Sequence, residues 1–372
     1  MTGPIVLAAG GTGGHLFPAA ALGGELRLRG WGVVLVTDRR GAASGAAAFP
    51  QDLATHVVRS GTPAAGSAAA RVRAVLQILA GTLQAWRLLS RLRPRLVVGF
   101  GGYPALPTLW AALQRGIPTL IHEQNAVLGR VNRLLARRVA GIALSYPDTE
   151  RLPASAARLA VTGNPVREAI RRGRERSYRS PEREGRFRLL VIGGSQGAAI
   201  FGEIVPAAVA SLPPALRRRL EISQQCRPAD RGRIASAYRR HGVAAACEPF
   251  FADVADRMAR AHLVIARAGA SSIAELACIG RPAVLVPLPH AADDHQAANA
   301  KALAEAGAAI LLPQGDRFDA DSVAALLARL MTDPEALADM AAKARAEGRA
   351  DSGAALADFA ERIAPCTAEA GG

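Results

Sequence analysis

Aromatic residues make up only 4% of the 372-residue chain, which argues against a base-stacking nucleic-acid module, because such modules interleave aromatics with their basic residues. Cysteine is also sparse. Cys226, Cys247, Cys278 and Cys366 stand far apart and form no Cys-x-x-Cys pair, so neither a zinc ribbon nor a disulfide framework is expected. No apolar run is clean enough to span a bilayer: Val72 to Leu89 is broken by Arg73, Gln77, Gln84 and Arg87, whereas a spanning helix needs about 20 mostly apolar residues. No basic-then-apolar leader follows Met1, and the expected compartment is the cytoplasm. Lysine is nearly missing, Lys301 and Lys343 being the only two among 46 basic residues. Acid is missing altogether from Leu53 to His122, a stretch that holds eight arginines.

What is present is apolar and basic. Half of the chain is hydrophobic, which excludes intrinsic disorder, and at about 150 residues per domain the length suggests two or three domains. The net charge is +15 and is unevenly spread. Residues 1–165 hold 18 arginines and six acids, while residues 166–372 hold 28 basic residues and 25 acids. A one-sided field of this kind attracts nucleic acid, anionic lipid or a phosphorylated substrate.

Short apolar runs recur with helical patterns between them. They are Ile5–Ala8, Val33–Thr37, Leu96–Phe100, Thr119–His122 and Gly141–Leu144, then Leu189–Ile192, Leu263–Ala266, Ala283–Val286 and Ala309–Leu312. Strands alternating with helices predict βαβ units around parallel sheets. The first strand of each set runs into a glycine loop, Gly10-Gly11-Thr12-Gly13-Gly14 and Gly193-Gly194-Ser195-Gln196-Gly197. The expected architecture is therefore α/β, two doubly wound domains facing each other. The break is placed in the arginine-rich, helix-poor stretch Arg171–Arg188. Ligands of such sheets bind beyond the carboxyl ends of the strands, which makes the cleft between the domains the expected site.

A glycine-rich turn into a helix presents backbone N–H groups and the helix dipole to an anion. No Gly-Lys-Ser/Thr follows either loop, so a P-loop NTPase is excluded. Asp38 ends the second strand about where a dinucleotide-binding fold keeps its ribose acid, but Leu16 stands where the third glycine or alanine belongs. Asp38 is read as a solvated turn residue. Asp319-Ala320-Asp321 resembles a metal-holding Asp-x-Asp, yet it directly precedes a helical pattern, and capping explains it better. No metal and no cofactor are expected. His15 and Glu123, titratable groups just past strand ends, are read as site residues. Val72, Val75, Leu76, Leu79, Leu83 and Trp86 recur at helical spacing with Arg71, Arg73, Arg87, Arg91 and Arg93 at the ends of the stripe. A core-facing helix and an interfacial helix both fit the stripe, and the acid-free surroundings favour the interfacial one.

The motifs Gly-Gly-Thr-Gly-Gly-His15, Gly101-Gly102-Tyr103, His122-Glu123-Gln124-Asn125, Gly163-Asn164-Pro165-Val166-Arg167, Gly193-Gly194-Ser195-Gln196-Gly197, Arg267-Ala-Gly269-Ala270 with Glu275, and Pro289-His290 with Asp294-His295-Gln296 occur in this order. Over nearly the whole chain this set closely resembles the MurG-type undecaprenyldiphospho-muramoylpentapeptide β-N-acetylglucosaminyltransferases, which make lipid II from lipid I. The resemblance implies a GT-B fold of two Rossmann-like domains, residues 1–165 and 166–349. It implies a last helix, about Ala350–Ile363, returning to the first domain. It also implies UDP-N-acetylglucosamine as donor, lipid I as acceptor, an anionic membrane surface as partner at the cytoplasmic face, and neither metal nor nucleic acid. Thr12, Gly13 and Gly14 would lie at the donor, with His15 as leading base and Glu123 as its alternative. Asn125 would touch the transferred sugar, and Arg167 and Ser195 the diphosphate region. Phe251 stands where a family backbone group reads uracil, Glu275 would hold the ribose and Gln296 the N-acetylglucosamine. Tyr103, Leu79 and Trp86 fall on the acceptor and membrane side. Two positions depart from the pattern: Gly202 replaces a frequent Asn, and Gln224-Gln225 replaces His-Gln. A different GT-B enzyme, an NAD-dependent oxidoreductase and a nucleic-acid-binding module remain as alternatives.

Overall fold

The structure, a computed structural model, describes residues 3–11, 13–45, 49–63, 67–154, 158–194, 198–289, 291–315 and 317–364. Thr12 and Ser195 lie outside the described residues. The chain divides into two compact units, Met1–Arg167 with Asp351–Gly372, and Glu168–Ala350.

The first unit is built on β1 (Ile5–Ala8), β2 (Val33–Thr37), β3 (Thr55–Val57), β4 (Leu96–Gly99), β5 (Thr119–Glu123), β6 (Gly141–Leu144) and β7 (Arg158–Val161). All pair in parallel, in the order β3-β2-β1-β4-β5-β6-β7. The inner strands are continuous apolar runs because a parallel sheet is covered on both faces. Alternate residues feed two cores: Val6, Val34, Val97 and Ile121 face one, and Ile5, Leu7, Leu35, Val98 and Leu120 face the other. The helices are α1 (Gly13–Leu28), α2 (Arg39–Gly45), α3 (Ala68–Leu92), α4 (Gly102–Gln114) and α5 (Arg130–Leu135).

In the second unit α6 (Glu168–Arg174) precedes β8 (Phe187–Ile192), α7 (Phe201–Ser211), α8 (Pro214–Arg217), β9 (Leu220–Gln225), α9 (Arg231–Arg240), β10 (Ala244–Glu248), α10 (Val254–Arg260) and β11 (Leu263–Ala266). Then follow α11 (Ala270–Ile279), β12 (Ala283–Leu285), α12 (His295–Glu305), β13 (Ala309–Leu311), α13 (Ala320–Thr332) and α14 (Pro334–Glu347). The parallel sheet runs β10-β9-β8-β11-β12-β13. The final helix, α15 (Ser352–Ile363), belongs to the first unit. There Leu356, Phe359 and Ala360 join the core of Ile5 and Leu7, and Arg29 pairs with Asp358 and Glu361.

Every apolar run read from the sequence is a strand, with ends shifted by a residue or two. Four strands were not foreseen. β3 and β7 are exposed edges that need no apolar run, and β9 and β10 alternate or mix polar residues because one face is less covered. The stretch Arg171–Arg188 is less helix-poor than expected, since α6 extends to Arg174.

The stripe on α3 is exposed. Val72, Val75, Leu76, Leu79 and Leu83 are all among the exposed large hydrophobics, and Trp86 is 38% exposed. The helix packs through another face: Ala74, Gly81, Ala85 and Leu89 are buried, and a Cβ at Gly81 would collide with the Arg59 carbonyl. Close approach at Gly81 therefore fixes which face packs and leaves the stripe facing outward.

Candidate active site

In each unit the strand order reverses beside the first strand, between β1 and β4 and between β8 and β11. Such a switch point leaves a crevice at the carboxyl ends of the two strands. His15 and Tyr103 follow β1 and β4 at the first switch point and Glu275 follows β11 at the second, while Glu123 and Asn125 lie at the end of β5, Phe251 after β10 and Gln296 after β12.

In the first unit, β1 runs into Gly10 and Gly11 and then α1, which carries His15 in its first turn. Gly11 has φ +81°, and Gly101 and Gly102 beyond β4 have φ +78° and +71°, a region that side chains other than glycine rarely adopt. His15 packs against that second turn, since a Cβ on Gly102 would lie 3.2 Å from its Nε2. Tyr103 follows on α4, partly buried against the core.

His122, at the end of β5, is fully buried. Its Nε2 lies 3.0 Å from the Gly163 carbonyl and its Nδ1 3.2 Å from Gln124 Nε2. A carbonyl only accepts, so Nε2 carries the proton and Nδ1 accepts from the amide. Burial, with the charge of His15 adding to it, pushes His122 down to about 4. It is a neutral strut joining β5 to the Gly163–Arg167 turn.

Glu123 is buried and fully engaged. One carboxylate oxygen accepts from the Asn125 backbone N–H and from its side-chain amide, both at 3.0 Å. The other accepts from Gly129 N and Asn132 Nδ2, both at 2.8 Å. Four donors thus occupy both oxygens of this carboxylate. It is suited to anchoring Asn125. Arg167 lies with its guanidinium 4.5 Å above the Phe17 ring. Phe17, a packing partner in α1, carries no sequence signal of its own.

Asp38 is not a solvated turn residue. It is buried, and Oδ1 accepts from the backbone N–H of Gly11 at 3.0 Å and of Gly41 at 2.9 Å. The hydrophilic sequence around it hid this, because backbone donors leave no pattern in the side chains. The acid that an NAD-binding reading requires is thus turned onto the loop backbone.

In the second unit, Gly193 and Gly194 follow β8, and Gly194 has φ +78°. Beyond β11, Arg267 is buried and donates to the carbonyls of Val286 and Pro287 and to Gln314 Oε1, with its guanidinium 5.1 Å from the Phe201 ring. Glu275 is buried in the second turn of α11. Gln296, in the first turn of α12, accepts from Leu288 N at 2.9 Å, which points its amide nitrogen elsewhere. Phe251 is buried beneath the Arg257 guanidinium, 4.4 Å from its ring, while neighbouring Phe250 is exposed.

The two departures from the motif pattern face the interior. A Cβ on Gly202 would lie 2.6 Å from Ile234 Cδ1, so this position packs against α9. Gln224 is buried and accepts from the Tyr238 hydroxyl. Asp319 caps α13, accepting from Ser322 N and Ser322 Oγ, each at 2.8 Å. These bonds, the backbone one foremost, hold its carboxyl below the usual range. Among the described residues no cluster of three metal-ligating side chains occurs, and no helix is long and apolar enough to cross a membrane.

Residues 5–144 match the glycosyltransferase family 28 N-terminal domain and residues 188–362 its C-terminal domain. The chain is 53% identical over 356 residues, 95% of its length and 93% of the relative's, to the UDP-N-acetylglucosamine--N-acetylmuramyl-(pentapeptide) pyrophosphoryl-undecaprenol N-acetylglucosamine transferase of Rhodospirillum centenum. It is 51% identical to the transferase of the same name from Paramagnetospirillum magneticum, covering 97% of both chains. The crystal structure of Acinetobacter baumannii MurG superposes with a TM-score of 0.74 at 32% identity, over 96% of this chain and 99% of that one. A kitacinnamycin glycosyltransferase, 18% identical with a TM-score of 0.69, shares the fold. The chain belongs to glycosyltransferase family 28 and has the two Rossmann-like domains of a GT-B enzyme.

Proposed function

We propose that this enzyme transfers N-acetylglucosamine from UDP-N-acetylglucosamine to the C4 hydroxyl of N-acetylmuramyl-pentapeptide diphospho-undecaprenol, lipid I, giving lipid II for peptidoglycan. The observation that carries this reading is the near-full-length identity of 51–53% to transferases named for that donor and acceptor. The acceptor hydroxyl attacks the sugar C1, the C1–oxygen bond to the diphosphate breaks with inversion, and UDP leaves. The hydroxyl proton goes to the His15 imidazole. His15 is the better base because Glu123 already accepts four hydrogen bonds. Loop N–H groups with the dipoles of α1 and α7, aided by Arg167 and Ser195, stabilise the departing diphosphate. Glu275 holds the ribose, Gln296 and Asn125 the sugar, and the backbone near Phe251 the base. The test is transfer of labelled N-acetylglucosamine to a lipid I analogue in excess EDTA. Lipid II product is expected; its absence, with transfer to another glycolipid, would assign a different acceptor.

The same reading places the first unit on the cytoplasmic face of the membrane, as a peripheral protein. Its support is the exposed stripe Val72–Trp86 with Arg71, Arg73, Arg87, Arg91 and Arg93 exposed around it in a stretch without acid. Each arginine near an anionic surface contributes about 1 kcal/mol, weakened by salt. Leu79 is exposed, and Trp86 is 38% exposed with the Arg115 guanidinium 4.9 Å from its ring, so Leu79→Glu with Trp86→Glu is expected to lower the melting temperature only modestly and to leave the protein folded. Co-sedimentation with anionic vesicles should fall with salt in the wild type and disappear in the double variant. Equal sedimentation of both proteins would move the contact elsewhere.

A further inference from the structure

We propose that Asp38 is a positioning residue for transfer: its carboxylate pins the first glycine loop, and through it the start of α1 and His15. The inference rests on His15 being the base.

The loop at Gly10–Gly11 is clamped from two sides. On one side lies Asp38, whose single oxygen Oδ1 gathers the N–H groups of Gly11 and Gly41. On the other lies α4, where a Cβ on Gly10 would come 2.7 Å from Pro104 Cβ as well as 2.7 Å from Asp38 Oδ1. Gly41 is equally hemmed in: a Cβ there would lie 2.9 Å from Asp38 Oδ1 and 2.9 Å from the Gly10 Cα, and would collide with Thr37 Oγ1. Two backbone segments, Gly10–Gly11 and Gly41, thus meet at one carboxylate, and the Pro104 side chain closes the far side of Gly10. The exposed Arg40 approaches Oδ2 only to 3.7 Å through its Nε, whereas the backbone donors lie at 2.9 and 3.0 Å from Oδ1 and define the site. Gly11 sits at φ +81°, a conformation with many alternatives for glycine, and the hydrogen bond to Asp38 selects among them. Four residues further on stands His15, its ring against Gly102. A loop released from Asp38 would let the imidazole drift from that contact.

Both hydrogen bonds converge on one oxygen, so Asp38→Asn can keep them and Asp38→Ala cannot. A misplacement of about 1 Å can lower turnover about 10²-fold. Asp38→Ala is therefore expected to lower kcat by that order with the KM for UDP-N-acetylglucosamine little changed, and Asp38→Asn to restore most of the rate. In the His15→Ala background, Asp38→Ala should cause no further loss, because groups acting as a unit are not additive. Full multiplication of the two losses would overturn the proposal, as would a near-normal kcat in Asp38→Ala. If Asp38→Ala fails to fold, Asp38→Glu carries the test: it keeps the charge but is one methylene too long, and normal turnover there overturns the proposal. If His15→Ala alone turns over normally, the base assignment falls. Asp38 is then judged by the contrast of Ala with Asn, and equal rates for those two overturn it.

Discussion

The two units share a topology and hold their strand-end loops with opposite charges. In the first, buried Asp38 and Glu123 accept from the backbone N–H groups of Gly11, Gly41, Asn125 and Gly129. In the second, buried Arg267 and Arg281 donate to backbone carbonyls: Val286 and Pro287 for one, and Ala259, Ile279, Gly280 and Arg176 for the other. The difference follows from which half of the peptide group is left over. Turns entering helices leave N–H groups unbonded, whereas the ends of α10 and α11 under Arg281 and the end of β12 under Arg267 leave carbonyls. Burial also sharpens the charge asymmetry. The strongly basic 1–165 region hides two negative charges, whereas 166–372 hides two arginines against Glu275. The exposed surface of residues 1–165 is thus more positive, and that of residues 166–372 less so, than their sequences suggest.

The largest effect expected from breaking this comparison is at Glu123 and His15. Each buried donor left without an acceptor costs about 1–3 kcal/mol. Glu123→Ala orphans four donors, and even with water reaching the part-buried ones it should remove several kcal/mol, a large fraction of the roughly 5–15 kcal/mol of a domain. His15→Ala should melt nearly as the wild type while kcat falls about 10²–10⁴-fold, the usual worth of a general base. Calorimetry with steady-state kinetics separates the two. A Glu123→Ala protein that melts normally and loses only kcat would make Glu123 the base.

That division of labour was only half legible in the sequence. The inner strands, the glycine loops and the titratable groups at the strand ends could be read because burial on both faces and tight turns restrict residue type. Asp38 was misread because what it binds is backbone, and a backbone N–H has no letter. Edge strands β3 and β7 were missed because exposure relaxes composition. The α3 stripe could be seen but not oriented, since period alone does not say which side packs; Gly81 against the Arg59 carbonyl decides it.

A smaller effect is expected from acid. Each unit buries one neutral histidine, His122 and His262, both pushed down to about 4 chiefly by burial. The folded state therefore resists protonation while the unfolded chain takes a proton near pH 6.5. Stability is complete above that pH and is lost as pH falls from 6.5 towards 4. At about 1.4 kcal/mol per pK unit this amounts to about 3 kcal/mol for His122. His122→Gln, which can still donate to the Gly163 carbonyl, should flatten the acid limb of melting temperature against pH. An unchanged limb would mean that other groups cause the loss.

The smallest expected effect is at Arg281, the counterpart of Glu123 in the second unit. Its guanidinium is almost wholly buried with no carboxylate partner among the hydrogen bonds described, lies 5.5 Å from the Tyr178 ring, and is pushed down to about 10 by burial, so it remains charged at neutral pH. It closes the carbonyl ends of α10 and α11 and ties in Arg176. Arg281→Met keeps the apolar stem, removes the desolvated charge and leaves carbonyls short of a partner. A carbonyl has two lone pairs and tolerates partial satisfaction better than an N–H, and losing a buried charge offsets part of the loss. The expected destabilisation is about 1–3 kcal/mol, or about 2–4 °C per kcal/mol for a unit of this size, well below that of Glu123→Ala. Because α11 carries Glu275, the variant should also raise the donor KM more than it lowers kcat. A loss equal to that of Glu123→Ala would show that buried cations and buried anions anchor these loops with equal strength, and the proposed asymmetry between N–H and carbonyl would fall.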